Sequence, residues 1–383
     1  MLVRVGNALT PTAVEPFWRS GLGDDVIIMK KLLCAVMLAA LVQPLAAQQR
    51  QTRNVIIVTL DGLRWQELFT GVDSALVHDI RYTPLQTGVK DEFWTTSPTE
   101  RRRKLMPFFW DSLAPTGVVL GDRNAGSLVD ITNVHRFSYP GYSEILAGFA
   151  DDERIKSNNK VPNPNVTVLE FLNQQPGLRG KVAAFTSWDV FPHIINEERS
   201  GVLVNAASEP LPDAGALLNR LQLQLPNPWN GVRHDALTHQ FALEYLRKQR
   251  PRVLYIGFDE TDDFAHERKY GTYIRAARRT DDMVRELWQW VQSTEGYRNA
   301  TTLILTTDHG RGHGEAFSNH SREVDGAQHI WIAMFGPDLR AVTNQNAAGQ
   351  FYQNQIARTV ASLLGFNYDI DPRIGAELKV GRP

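Results

Sequence analysis

The sequence predicts an α/β protein, with a central, mostly parallel sheet layered between helices (α/β/α). Short runs rich in β-branched and aromatic residues alternate along the chain with segments of helical pattern. Several of these runs are apolar at successive positions, which is typical of strands that helices cover on both faces. The 383 residues, 43% of them apolar, are enough for a sizeable core. This alternation therefore favours a layered sheet over an all-helical or all-β fold.

Six runs are predicted to be strands: 54–60, 117–120, 181–185, 252–258, 301–306 and 329–335. Four segments between or after them are predicted to be helices: 97–113, 235–248, 270–292 and 350–364. The first helix has the clearest start, because Ser97, Pro98 and Glu100 match a capping box with proline at the first helical position.

Residues 29–47 are predicted to be a secretory signal peptide. Met29, Lys30 and Lys31 precede an apolar run, which ends in small residues and a polar break. The run is shorter than the about 20 residues that cross a bilayer, although a signal anchor is the alternative. Residues 1–28 are expected to be an upstream artefact or a disordered segment. Because the single cysteine, Cys34, lies in the leader, the mature chain would form no disulfide.

Residues 48–383 are expected to form one catalytic domain, periplasmic or secreted, with no stable membrane span once the leader is removed. Within it, 200–233 is rich in Pro, Leu, Asn and Gly and has no clear period, which indicates a lid or a surface insertion. Lys and Arg (41) nearly balance Asp and Glu (42), so charge gives no argument for nucleic-acid binding. The sequence makes no prediction of oligomeric state.

Carboxylates and imidazoles follow three of the predicted strands. They are Asp61, Asp262, His266, Asp308 and His309, with His320 in a loop further on. Ligands of open α/β sheets bind at the carboxyl ends of strands, so we expect these side chains to lie close together. A single aspartate in such a place is usually a helix cap or a turn residue, whereas this combination indicates a metal site.

The spacing of these residues is compatible with metal binding. Asp262 and His266 are four residues apart and share one face of a helical turn. Asp308 and His309 are adjacent where the chain leaves a strand for a glycine-rich loop, so both can reach one ion. A mixed oxygen and imidazole set suits Zn²⁺, with Mn²⁺ or Fe as alternatives.

Ser138 precedes a predicted helix start in the run 137–144. A hydroxyl at such a start lies near backbone N–H groups, which stabilise a developing anion. Taken alone, a serine there is more often an N-cap than a nucleophile. Its catalytic interpretation therefore depends on the metal residues, and Ser143 is the next candidate nucleophile.

These motifs together resemble the alkaline phosphatase superfamily, most closely its nucleotide pyrophosphatase/phosphodiesterase-like branch. They are VTLDG at 58–62, FSYPGYSEILAG at 137–148, DETDDFAH at 259–266, TTDHG at 306–310 and the later His320. The resemblance implies an alkaline-phosphatase-like fold and a metal-dependent hydrolase of a small phosphate ester, either a phosphodiesterase or a phosphatase. A phosphoryl-group transferase of the same superfamily and a catalytically inactive binding protein are the alternatives.

The resemblance also implies a role for each residue. One of two divalent ions would lie among Asp61, Ser138, Asp308 and His309, and the other among Asp262, His266 and His320. It favours His320 over His313 as the last ligand. Ser138 would form a phosphoserine intermediate. Asn158, with Asn159 as the near alternative, would donate to the phosphoryl oxygens, as would backbone N–H groups.

Two departures from the family pattern and one further histidine bear on this interpretation. Tyr142 occupies a position where the sulfatase pattern requires arginine, which argues against a formylglycine enzyme. The stretch 186–189 has no Lys/Arg pair of the kind that some phosphate monoesterases use; this favours diesters, or a monoesterase with other donors. His135, three residues before Ser138, is a candidate for either a substrate contact or a structural hydrogen bond.

Overall fold

The computed structural model describes residues 50–379 apart from 213–214, 228 and 343–346. The predicted leader and the residues before it lie outside this range. Within the described residues, no helix combines the length and the apolar character that crossing a membrane requires.

A seven-stranded sheet and a small two-stranded sheet carry the strands. Their bounds are β1 Asn54–Leu60, β2 Val118–Leu120, β3 Ser127–Asp130, β4 Val182–Thr186, β5 Leu203–Ala206, β6 Val253–Phe258, β7 Thr301–Thr306, β8 Ile332–Phe335 and β9 Gly349–Tyr352. The large sheet has the order β2-β8-β7-β1-β6-β4-β5, and β3 pairs with β9. Only β8 runs against its neighbours, β7 and β2, so the prediction of a mostly parallel sheet is confirmed.

Thirteen helices are described. They are α1 Trp65–Thr70, α2 Ser74–His78, α3 Val89–Phe93, α4 Pro98–Leu105, α5 Ser138–Ala147, α6 Val168–Asn173, α7 Phe191–Ile194, α8 Glu197–Ser200, α9 Ala216–Gln224, α10 Asp235–Gln249, α11 Glu260–His266, α12 Tyr270–Ser293 and α13 Ile356–Leu363. Short 3₁₀ or π turns connect several of them.

The two faces of the sheet belong to two separate cores. Ile56 and Val58 of β1 pack in one core together with residues of α10 and α12. Val55 and Ile57 point to the other face and pack with residues of α5 and α13. Because successive side chains of a strand alternate between faces, β1 contributes to both cores. The layered α/β/α prediction is therefore confirmed.

The predicted helix 97–113 was wrong over its second half. Ser97 caps α4 as expected, since its hydroxyl accepts from the N–H of Glu100, but the helix ends at Leu105. Pro107 gives the physical reason, because proline disfavours helical geometry in the residue before it and has no N–H to donate. The chain restarts as a separate π turn over Phe109–Leu113.

One other predicted helix also differs from expectation. The predicted helix 350–364 begins late, since Gly349–Tyr352 is strand β9 and the helix starts at Ile356. The segment 200–233, predicted to be a lid or a surface insertion, contains the edge strand β5 and the helix α9. Four residues are too few to show a period, so this strand gave no signal in the sequence.

Candidate metal centre

The candidate site lies at the carboxyl ends of three neighbouring strands. β1 lies between β6 and β7 and runs parallel to both, so the three strands end at the same edge of the sheet. Asp61 follows β1 directly, α11 begins just after β6, and Asp308 and His309 follow β7. The sheet topology thus brings together residues from opposite ends of the domain.

Asp61, Asp308 and His309 form a first group of possible metal ligands. All three are buried, and Nε2 of His309 lies 3.3 Å from Oδ1 of Asp61 and 3.5 Å from Oδ2 of Asp308. None of these three atoms has a hydrogen-bond partner within the described part of the chain. Leaving converging buried polar atoms unpaired is unfavourable unless a cation satisfies them, so this group fits a metal ion.

Neighbouring groups hold the other polar atoms of this first group. The hydroxyl of Tyr142 donates to Oδ2 of Asp61 at 2.9 Å, and the N–H of Gly62 donates to Oδ1 of Asp308 at 3.1 Å. Nδ1 of His309 lies 2.9 Å from a backbone carbonyl oxygen, which assigns the proton to Nδ1 and leaves the lone pair on Nε2. Each residue therefore directs one unpaired ligand atom to a common point.

Asp262, His266 and His320 lie beside the first group. Nε2 of His266 is 3.0 Å from Oδ2 of Asp262, and Nε2 of His320 is 3.6 Å from Oδ1 of the same carboxylate. The rings of His309 and His320 stack with their centroids 3.9 Å apart. The ligand atoms of Asp262, His309 and His320 lie within 4.8 Å of one another, so His309 is within reach of both groups.

The two histidines considered for the last ligand position are in different places. Nδ1 of His320 lies 3.1 Å from the carbonyl oxygen of Arg136, which turns Nε2 toward Asp262. Nδ1 of His313 lies 3.0 Å from the side-chain amide of Gln66, and His313 belongs to neither ligand group of the described residues. The geometry therefore favours His320.

Burial controls the protonation of the first group. Burial, and then the charge of Asp262, raises the pKa of Asp61 to about 7. Burial, and then the charges of Asp61 and Asp262, raise the pKa of Asp308 well above its usual value. Burial also lowers the pKa of His309 to about 4, so its imidazole is neutral. Carboxyl groups that resist ionisation beside a neutral imidazole suit a divalent cation, which would supply the missing positive charge.

A buried arginine that the sequence did not single out contacts the second group. Arg311 is fully buried, forms an ion pair with Oδ1 of Asp262, and donates to two backbone carbonyl oxygens at 2.7 and 3.0 Å. Burial by itself would raise the pKa of Asp262, but Arg311, His320 and His266 together hold that pKa well below its usual value.

Ser138 is the first residue of α5 and is 5% exposed. A Cβ atom added to Gly141 on the next turn would lie 2.4 Å from the carbonyl oxygen of Asp308, so glycine is needed for the helix to approach this closely. On the other side, the carbonyl oxygen of Arg136 contacts His320. The start of α5 is therefore held close to both ligand groups.

Asn158 lies against the start of the same helix. Its Oδ1 accepts a hydrogen bond of 3.0 Å from the N–H of Tyr139, and its Nδ2 makes no hydrogen bond to the described residues. Asn159 instead uses its backbone N–H, which donates to Ser157. The backbone N–H of Tyr139 already donates to Asn158, and Pro140 has no N–H. The helix start therefore offers fewer free backbone donors than the sequence suggested. The side-chain amide of Asn158 therefore keeps an unused donor, among the described residues, at the start of this helix.

Two further candidates from the sequence make structural hydrogen bonds. Nε2 of His135 lies 3.0 Å from the carbonyl oxygen of Asp152. Ser143 is buried on α5, and its Oγ accepts from the side-chain amide of Asn163 at 3.1 Å.

Comparison with known protein families finds a match over most of the chain. The family described as type I phosphodiesterase / nucleotide pyrophosphatase matches residues 77–356. That range includes every candidate ligand except Asp61. No curated protein matches the sequence.

Solved structures show the same fold at low sequence identity. The lipoteichoic acid synthase LtaP from Listeria monocytogenes is similar with a TM-score of 0.54 at 12% identity, over 85% of this chain and 75% of that one. A 2-O GAG sulfatase has a TM-score of 0.52 at 11% identity, over 85% and 73%. A protein of the alkaline phosphatase superfamily from Vibrio parahaemolyticus has a TM-score of 0.50 at 13% identity, over 85% and 69%.

Proposed function

The chain belongs to the type I phosphodiesterase / nucleotide pyrophosphatase family of hydrolases, and we propose that it is an exported two-metal hydrolase of small phosphate esters with Ser138 as its nucleophile. The resemblance of the sequence to the alkaline phosphatase superfamily is thereby confirmed. One observation carries the proposal beyond the family: three unpartnered buried ligand atoms converge beside the helix start that bears Ser138.

The proposed ligands fall into the two groups described above. Asp61, Ser138, Asp308 and His309 would hold one ion, and Asp262, His266 and His320 would hold the other. We propose zinc, because the donors are carboxylate oxygens and imidazole nitrogens. Such a pair of ions, when bound, favours ionisation of a nucleophilic hydroxyl and neutralises charge on the oxygens at phosphorus.

Two side chains of the protein, Ser138 and Asn158, act on the substrate in this reaction. The Ser138 hydroxyl gives its proton to water, and its Oγ attacks phosphorus; a serine O–P bond forms, and the bond from phosphorus to the ester oxygen breaks. The departing alcohol takes up a proton. Nδ2 of Asn158 donates to a non-bridging oxygen, where negative charge increases. Water then attacks the phosphoserine, which frees Ser138 and releases the phosphoryl product.

We propose a periplasmic or secreted location because residues 29–47 have the composition of a cleavable leader.

Replacing Ser138 by alanine tests the proposal. We expect Ser138→Ala to retain its bound zinc and to lose hydrolysis of p-nitrophenyl phosphate and bis-p-nitrophenyl phosphate by about a thousandfold or more. Ser143→Ala is the matched control, since Ser143 lies on the same helix and makes a structural hydrogen bond. Metal analysis and steady-state rates on both esters give the readout.

Each contrary outcome identifies a different error. Full activity in Ser138→Ala would move the nucleophile elsewhere. A wild-type protein that binds no metal and turns over neither ester would indicate a binding protein. Transfer of the phosphoryl group to an added alcohol without hydrolysis would indicate a transferase.

A further inference from the structure

Several basic side chains belong to the segments around Ser138, and two of them, Arg311 and Arg136, are already bound by the protein. Arg311 is fully buried and forms an ion pair with Asp262. Arg136 donates to the carbonyl oxygens of Arg322 and Val324 at 3.2 and 3.5 Å. Both cations therefore already have partners in the protein.

Lys160 is another of these side chains, and the chain holds it close to the nucleophile. Two residues before it, Asn158 accepts from the N–H of Tyr139, the residue after Ser138. One residue after it, the carbonyl oxygen of Val161 accepts from the hydroxyl of Tyr139 at 2.6 Å. Lys160 therefore lies between two anchors to the residue that follows the proposed nucleophile.

The ammonium group of Lys160 points to the same edge of the sheet as the metal centre. Its Nζ lies 2.6 Å from Oδ2 of Asp189, which follows β4. Because β4 is the parallel neighbour of β6, their carboxyl ends lie side by side. The Lys160 and Asp189 side chains are 51% and 30% exposed. An ion pair so accessible to water is weak, so an arriving anion can replace the carboxylate.

Resting on the proposed function of this site, we propose that Lys160 is a specificity-determining residue that selects phosphate monoesters. Above neutral pH a monoester carries two negative charges at phosphorus, whereas a diester carries one. Lys160 leaves Asp189 and binds a phosphoryl oxygen whose charge a diester lacks, as lysine ammonium groups commonly do with phosphate. The sequence showed no basic pair near 186–189; in the folded protein a lysine from a different segment reaches that place.

The test compares two lysines of one segment in the zinc-loaded protein. Lys160→Ala and Lys156→Ala each remove one exposed positive charge, but Lys156 lies four residues upstream. We expect Lys160→Ala to lower kcat/KM for p-nitrophenyl phosphate by about tenfold, the loss that about 1.4 kcal/mol produces. The kcat/KM for bis-p-nitrophenyl phosphate should stay within about twofold. Lys156→Ala should leave both values unchanged.

Binding of inorganic phosphate, measured by calorimetry, reports on Lys160 without turnover. We expect Lys160→Ala to weaken phosphate binding by about tenfold, and Asp189→Asn to strengthen it only when Lys160 is present. The wild type, these two variants and the variant that carries both changes form a double-mutant cycle, which isolates the interaction between the two side chains.

The possible failures are distinguishable. An equal loss on both esters, or an equal loss of phosphate affinity in Lys156→Ala, would overturn the specificity role and leave the hydrolase proposal intact. A wild-type protein that hydrolyses neither ester would remove the proposed function. Whether or not the protein hydrolyses these esters, unchanged phosphate affinity in Lys160→Ala would overturn the role of Lys160.

Discussion

Tyr142 connects the helix of the proposed nucleophile to a proposed metal ligand. It lies one turn after Ser138, is fully buried, and donates to Oδ2 of Asp61. Burial, together with the charges of Asp308 and Asp61, raises the pKa of Tyr142 well above its usual value, so the hydroxyl stays protonated and remains a donor. This hydrogen bond fixes the Asp61 carboxylate and leaves its other oxygen available.

We therefore expect Tyr142→Phe to weaken zinc binding by about 10- to 100-fold, the usual effect of removing a group that orients a metal ligand. Competition with a chelator measures the affinity. Tyr255→Phe is the matched control, because Tyr255 is also buried near this edge but its hydroxyl pairs with Thr59 at 2.8 Å. Equal zinc affinities in the two variants would show that Tyr142 does not orient Asp61.

The residues that could be found from the sequence differ in kind from those that could not. Asp61 and Asp308 each follow an apolar strand, so a local pattern marks them. Tyr142 attracted notice only as a departure from a sulfatase pattern, because its contact with Asp61 exists only once α5 packs on the strand ends. The role of Arg311 likewise depends on how its loop folds back onto α11, and no local spacing encodes that.

At the level of whole elements, one carboxylate of α12 compensates for the break after α4. The helix stops before Pro107, which leaves the next backbone N–H groups without helical partners. Asp281 accepts from the N–H groups of Phe108 and Phe109, both at 2.8 Å. A pattern that predicted one long helix could not reveal this partner, since it lies far along the chain.

We expect Asp281→Ala to lower the free energy of unfolding by about 2–4 kcal/mol, because one buried and one partly buried N–H group would lose a charged acceptor. Asp282→Ala, at the neighbouring residue, should cost less than about 1 kcal/mol, since Asp282 forms surface ion pairs with Arg278 and Arg285. Denaturant titration compares the two variants. Similar losses in both would mean that Asp281 does not stabilise the turn after α4.

For the whole molecule, the buried acidic groups of the centre couple stability to metal binding and to pH. The folded chain keeps Asp61, Asp262 and Asp308 away from water at the meeting point of β1, β6 and β7. Their mutual repulsion is compensated in part by Arg311. The metal-free protein is therefore expected to be less stable than the loaded one, since ligands that bind only the folded state stabilise it.

Asp61 contributes to the pH dependence of the metal-free protein. Its pKa is about 7 in the folded state, through burial, against 3.8 for an ordinary aspartate. Between those values the folded state keeps a proton that the unfolded state releases, so the free energy of unfolding should decrease as the pH rises from about 4 to about 7. Denaturation after chelation, at pH 5 and pH 8, measures this decrease.

The Asp61→Asn variant lacks this ionisation and should show a shallower decrease. Saturating zinc should also reduce the difference between the two pH values in the wild type, because the bound ion favours the ionised carboxylate. A metal-free wild type whose stability rises over this pH range relative to Asp61→Asn would contradict the assignment.

The central position of β1 has a consequence for biosynthesis. Val55 pairs with Val253 on one side and with Thr302 on the other, so the earliest strand of the domain has only late strands as neighbours. As the ribosome extends the chain, β1 stays an apolar segment with both edges unpaired until β6 and β7 have emerged. Pairing across such long sequence separations folds slowly and exposes the chain to aggregation in the meantime. A nascent chain that ends before β7 would therefore be a substrate for chaperones and proteases.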